Sequence, residues 1–194
     1  MTVDALSPTA PFVDVSSDGT QTLGTAEPNS EVSMSYIGAG GQVVTLNTIN
    51  VSSAGSWSTT PNPSLHIDED VYVKATDADG NSSAYTLVLQ GSDDGIINFS
   101  SVSGDLAVGL AAFDIEGIDL SDNTSNALII SEANLQALSA GSDDLRVDGV
   151  VGNMVTASGA SANGSTTING QIYDVYEFTG GGQLIIDHDV QVVV

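Results

Sequence analysis

No cysteine occurs in the 194-residue chain, which excludes disulfides and thiolate metal sites. Positive charge is nearly as scarce. Lys74 and Arg146 are the only fixed cations against 25 Asp and Glu, a formal net charge of -23. Nucleic acid and anionic membrane surfaces are bound through basic patches, so neither is an expected partner. Long apolar runs are missing too, and nothing approaches the ~20 residues of a membrane span. Met1-Thr2-Val3-Asp4-Ala5-Leu6 has neither the basic start nor the apolar core of a signal peptide. Export would need a signal elsewhere, and Val190-Gln191-Val192-Val193-Val194 reads as a strand cut at its end. The sequence is therefore expected to be a fragment of something longer.

What is present is strand-like. Hydrophobic residues make up 41% of the chain, enough to fold despite the acidity. Self-repulsion on this scale calls for bound cations or a salty environment. Short alternating segments at 11–15, 20–26, 31–37, 42–49, 56–60, 69–77 and 83–90 are separated by turns rich in Gly, Pro, Asn, Asp and Ser. Seven short strands at regular spacing predict an all-β sandwich. Trp57, the only tryptophan, is expected to be the main aromatic plug of its core.

Asp77-Ala78-Asp79-Gly80-Asn81 joins the last two of these strands. Gly80 suits a positive φ, and oxygen side chains at i, i+2 and i+4 can curl around one hard cation. Calcium (Ca2+) takes about 6–8 oxygens and tolerates such a flexible shell. The same residues also make a plain hairpin turn. An EF-hand is rejected, because Val88 stands at the twelfth position and no helix flanks the loop. Alternating strand direction puts Glu27, Asn29, Asp77, Asp79 and Asn81 at one end of the sandwich. Asp18, Asp68, Glu69 and Asp70 fall at the other, beside the acidic linker at 92–95. A calcium ion shared by Asp93 or Asp94 with Asp18, Asp68 or Asp70 would stiffen that junction. The metal-ligand candidates are thus Glu27, Asp77, Asp79 and Asn81 at one end and Asp18, Asp68, Asp70, Asp93 and Asp94 at the other.

Three motifs occur in order over roughly residues 8–91: Gly24-Thr25-Ala26-Glu27-Pro28-Asn29-Ser30, Gly55-Ser56-Trp57-Ser58 and Ala75-Thr76-Asp77-Ala78-Asp79-Gly80-Asn81-Ser82. With them the chain resembles the bacterial immunoglobulin-like extender repeats of large repetitive adhesins secreted by type I systems, the RTX class. The resemblance implies a calcium-stiffened rod element, secreted to the cell surface, with neighbouring modules of the same chain as partners and a place in biofilm or surface attachment. The expected organisation is a lead-in at 1–10, a sandwich at 11–91, a linker at 92–95 and a second β-rich domain at 96–194.

That second half predicts strands at 96–99, 107–113, 127–130, 145–147, 153–157, 166–168, 171–178 and 183–186, and a final one at 190. It holds one helix, at about 131–140, with Ser131 as N-cap and Gly141 as its stop. Asn169-Gly170 predicts a tight hairpin. Ile118-Asp119-Leu120, Leu145-Arg146-Val147-Asp148-Gly149 and Ile168-Asn169-Gly170-Gln171-Ile172-Tyr173-Asp174-Val175-Tyr176 resemble, more loosely, a module near the carboxyl end of the same adhesin class. Its acidic turn is reduced here to Asp148-Gly149-Val150-Val151-Gly152-Asn153. No Gly-Gly-x-Gly-x-Asp run occurs, so no calcium β-roll is expected. A sandwich and a small solenoid both remain open for this half.

No catalytic constellation stands out, and no enzyme is expected. His66 and His188 fall in different halves, and the acids of Asp187-His188-Asp189 alternate faces along a strand with the histidine. Sequence-adjacent carboxylates such as Asp143-Asp144 do not span a cleft as glycosidases require. The alternative to a structural role is a carbohydrate- or peptide-binding module in residues 93–194, using Tyr173, Tyr176 and Phe178.

Overall fold

In the computed structural model, residues 5–15, 21–59, 70–89, 96–121 and 125–194 are described. Seven strands open the chain: β1 (Phe12–Val15), β2 (Thr22–Thr25), β3 (Glu31–Ile37), β4 (Val43–Asn50), β5 (Ser56–Thr59), β6 (Val71–Thr76) and β7 (Tyr85–Val88). All seven fall inside or within a residue of the expected segments. They form two layers: β1-β2-β5 in one sheet and β4-β3-β6-β7 in another. Alternation turns Val32 and Met34 of β3, Val71, Val73 and Ala75 of β6, and Val88 of β7 toward Val13 and Trp57 of the facing layer, where all are buried. Trp57 is 4% exposed. This is the predicted sandwich, with its aromatic plug in the predicted place.

The second half is wound differently. Its strands are β8 (Ile96–Asn98), β9 (Ile115–Asp119), β10 (Ala127–Ile129), β11 (Asp144–Asp148), β12 (Met154–Thr156), β13 (Ser161–Ile168), β14 (Gln171–Glu177), β15 (Gln183–Asp187) and β16 (Gln191–Val193). Apart from the antiparallel β13-β14 hairpin, they alternate between two sheets. β7, β9, β11 and β15 run parallel in one, and β8, β10, β12 and β16 run parallel in the other. The chain thus makes stacked coils, a small solenoid rather than a second sandwich. Leu87, Ile118, Val147 and Ile186 lie in register on one wall. Ile97, Leu128, Val155 and Val192 lie in register on the other. Stacking closes a core no single coil could bury.

Two helices fill the coils. α2 (Glu132–Leu138) is the predicted helix, and Ser131 caps it in a capping box with Asn134. Leu135 and Leu138 are buried, whereas Ala133 and Ala137 are exposed. Gly141 is not its stop. The helix ends at Ser139, whose N–H bonds the Leu135 carbonyl and whose hydroxyl donates to the Asp144 carbonyl. α1 (Gly104–Ala112) stands where a strand was expected over 107–113. A short apolar run reads the same for a strand and a buried helix, and the Ala and Leu content favours the helix. It rests on Tyr72, and a Cβ at Gly109 would lie 1.9 Å from the Tyr72 hydroxyl. The Asn169-Gly170 turn joins β13 to β14 as predicted, with φ of 51° and 89°.

The two halves share one sheet. Its order is β13-β14-β15-β11-β9-β7-β6-β3-β4, and the crossing pair is β7 with β9. Tyr85 N–H also donates to the Asp114 carbonyl and Leu89 N–H to the Asp119 carbonyl, extending that pairing at both ends. One core runs across the join, taking in Ile37, Tyr72 and Leu87 with Ile115, Ile118 and Leu145.

Replacing Trp57 by Ala is expected to cost ~3–5 kcal/mol, the usual loss on emptying a large buried aromatic site. Urea denaturation measures it. Tryptophan emission in the folded wild type should be blue-shifted, and a water-exposed spectrum with a near-neutral substitution would contradict this placement.

Candidate functional site

The residues with the most chemistry gather where the halves meet. In a parallel strand alternate residues share a face, so Arg146 and Asp148 of β11 both leave the coil interior on its outer side. Gly117 is opposite Arg146 in register. A Cβ there would meet Thr86 Oγ1 at 2.7 Å and Arg146 Nη2 at 3.0 Å, so only glycine lets the guanidinium lie flat across β9. From there Arg146 reaches the start of the chain. Nη1 donates to the Ala10 carbonyl at 3.2 Å and Nη2 to the Pro11 carbonyl at 2.8 Å. The guanidinium carbon sits 3.7 Å from the Phe12 ring centroid, a stacked cation–π contact. Nε donates to Asp148 at 2.9 Å. Thr86 of β7 adds its hydroxyl to the same Pro11 carbonyl.

Asp148 accepts a second bond, from the Tyr173 hydroxyl on β14 at 2.8 Å. Burial, and then the Asp148 charge, push the Tyr173 hydroxyl far above the usual phenol range. The Arg146–Asp148 pair therefore ties β1, β7, β11 and β14 together. Arg146 is 8% exposed, in a protein with one other fixed cation. That other cation, Lys74, lies 5.5 Å above the Tyr85 ring.

Three aspartates close successive coils at one corner: Asp119 ends β9, Asp148 ends β11 and Asp187 ends β15. Asp187 accepts from Gln171 Nε2 and from Asp189 N–H, and burial raises its pKa against those bonds. Asp119 is 1% exposed. Its Oδ1 accepts from Ser121 N–H at 2.9 Å.

The predicted metal ligands are placed as follows. Glu31 pairs with Thr76, so the turn bearing Glu27 and the loop bearing Asp77, Asp79 and Asn81 share one end of the sheet. The Asp77 loop closes on itself. Asp77 Oδ1 accepts from the N–H groups of Asp79 and Asn81, and Oδ2 accepts from Asn81 Nδ2 at 2.8 Å. The Asn81 amide is the main reason the Asp77 carboxyl is held below its usual range. Gly80 takes the positive φ expected, 92°. Glu27 and Asp79 are exposed. Among the described residues, no three His, Asp or Glu side chains converge to hold an ion. Asp70 lies beside Val71 at the opposite end, next to the β7 exit. Asp18, Asp68, Asp93 and Asp94 lie outside the described residues.

The aromatics of the alternative ligand site are not a platform. Tyr173 and Phe178 are 2% and 3% exposed, and Tyr176 packs against the core. His188 pairs with Asp174 at 2.9 Å on the surface. His66 lies outside the described residues. Among the described residues, no helix is long and apolar enough to cross a membrane.

In the sequence Arg146 stands out only as one of two cations and a motif letter, and Asp119 and Asp148 only as motif letters. The signal for their meeting was weak. Arg146 lies 136 residues from Ala10, and no local pattern encodes such a contact.

Residues 7–91 match the family described as Bacterial Ig domain. Among solved structures, the tetra-tandem repeat in the extending region of a large adhesion protein is similar at 27% identity. That match covers 41% of this chain and 23% of the other, with a TM-score of 0.30. No curated protein matches.

Arg146→Ala should cost ~3–5 kcal/mol, because it leaves a buried Asp148 unpaired. Arg146→Lys should lose part of this, since an ammonium cannot make the fork or the stack. Urea midpoints measure both. A change within ~0.5 kcal/mol would mean the pair behaves as a solvated surface bridge.

Proposed function

We propose that the chain is a non-catalytic structural segment that extends a secreted bacterial surface adhesin and holds neighbouring modules in fixed orientation. The observation that carries it is the nine-stranded sheet running unbroken from an immunoglobulin-like sandwich into a parallel solenoid. A domain of the bacterial Ig family at 7–91 is thereby welded, not tethered, to the next module. An extending element must transmit orientation, and main-chain pairing does this without a hinge. The β7–β9 ladder and the Arg146 contacts support this reading of the join.

In this proposal calcium is the counter-ion. It rests on the net charge of -23, which opposes compaction, and not on a coordination shell among the described residues. Attachment through biofilm and membership of the RTX class belong to the same proposal.

Two measurements test the reading. Small-angle scattering in chelator should give one narrow distance distribution for the whole chain, and a broad, two-body distribution would overturn the extender role. Calcium at a hundred times its dissociation constant should add ~2.7 kcal/mol, seen as a raised melting temperature. Identical melts in millimolar calcium and in chelator would remove calcium and leave the extender role standing.

A further inference from the structure

The aspartate corner holds one group that the structural role does not use. Asp119 Oδ2 is buried and has no hydrogen-bond partner among the described residues. Its neighbours make ionisation worse. Asp148 on β11 and Asp14 on β1 both face it with negative charge. β7 offers Val88 in register and the Leu89 N–H, which is committed to the Asp119 main-chain carbonyl. β9's own turn offers the Ser121 N–H, which goes to Oδ1, and the Ser121 hydroxyl, and both favour the ionised form less than burial opposes it. Arg146 is committed to Asp148 and to the carbonyls of Ala10 and Pro11, with Tyr173 behind it on Asp148. Asp187 adds a further carboxylate one strand beyond Asp148.

A neutral carboxyl fits this setting. A carboxylate would have one oxygen desolvated and acids on two sides.

We propose that Asp119 is a proton-operated latch on the corner where β1, β7 and β9 meet: protonated, it keeps the join between the two halves closed, and ionised, it loosens the join. The latch does not depend on the adhesin reading.

Burial above all raises the carboxyl to about 7, against the Ser121 hydrogen bonds and with a smaller push from the Asp148 and Asp14 charges. The unfolded value is ~3.9. The folded or closed state therefore keeps a proton that the opened chain has released. Stability from this group is greatest at acid pH, falls as pH rises from ~4 to about 7, and is flat beyond. Between about pH 6 and pH 8 this linkage raises the opening equilibrium roughly tenfold. Ordinary carboxylates have already ionised below that window.

The test is amide hydrogen exchange on the full chain, expressed as protection factors at about pH 6 and about pH 8. The reporters are Leu89, Leu120 and Ser121, whose N–H groups bond Asp119 or Asp148. Val32 and Val73, paired within the sandwich, are controls. Wild type should lose about tenfold protection at the reporters between the two pH values, with the controls unchanged. Asp119→Asn should hold reporter protection constant within about twofold. The proposal is overturned if wild-type protection does not change, if Asp119→Asn loses as much as wild type, or if the controls lose equally. Should the variant not fold, carboxyl-carbon NMR of wild type decides. A midpoint near neutrality supports the latch, and one in the ordinary carboxylate range overturns it.

Discussion

Main-chain pairing of β7 with β9 is the constraint on which the rest of this structure depends. Without it the amino-terminal strands are a sandwich with a bare edge at β7, a template for unwanted pairing. The solenoid would likewise begin with a bare edge at β9. Joined, each covers the other's edge. The pairing also fixes direction. β6 and β7 are antiparallel while β7 and β9 are parallel, so the sheet changes character at β7. Parallel strands are stable chiefly when buried on both faces. Here β1 and the lead-in residues cover one face, and the coil interior covers the other.

That double burial sets the electrostatic problem. The outer face of β9 and β11 lies under β1 and the lead-in residues, yet it carries Asp119, Arg146 and Asp148. A guanidinium removed from water needs all its donors occupied, and Ala10, Pro11 and Phe12 supply two carbonyls and a ring for the purpose. The arrangement places one of only two fixed cations at the join. Elsewhere the acidic surface faces solvent, where water and mobile ions screen it. At the join screening is lost, and pairing must replace it.

The same loss of water gives the corner aspartates three different characters. Asp148 has a cation and a phenol, Asp187 has an amide side chain and a backbone donor, and Asp119 has only Ser121, on one of its oxygens. Stacking in register equalises their positions but not their partners. A repeated residue in a coil therefore does not imply a repeated role.

The sequence alone determined the elements whose causes are local. The seven sandwich strands, the Ser131 cap, the Asn169-Gly170 turn and the burial of Trp57 each follow from patterns spanning about ten residues or fewer, because turn chemistry and side-chain period act at that range. It also determined the all-β class and the scarcity of positive charge. The helix at α1 was not legible, since its apolar run fits either period until Tyr72 is known to lie beneath it. Nor did the sequence decide between a solenoid and a second sandwich. The solenoid's coils share shape but not sequence, so Leu87, Ile118, Val147 and Ile186 become neighbours only when parallel pairing brings distant segments into register. The Arg146 site belongs wholly to tertiary structure: its partners at Ala10, Pro11 and Phe12 are far away in the chain, and closing that distance needed the folded sheet to hold both ends in place.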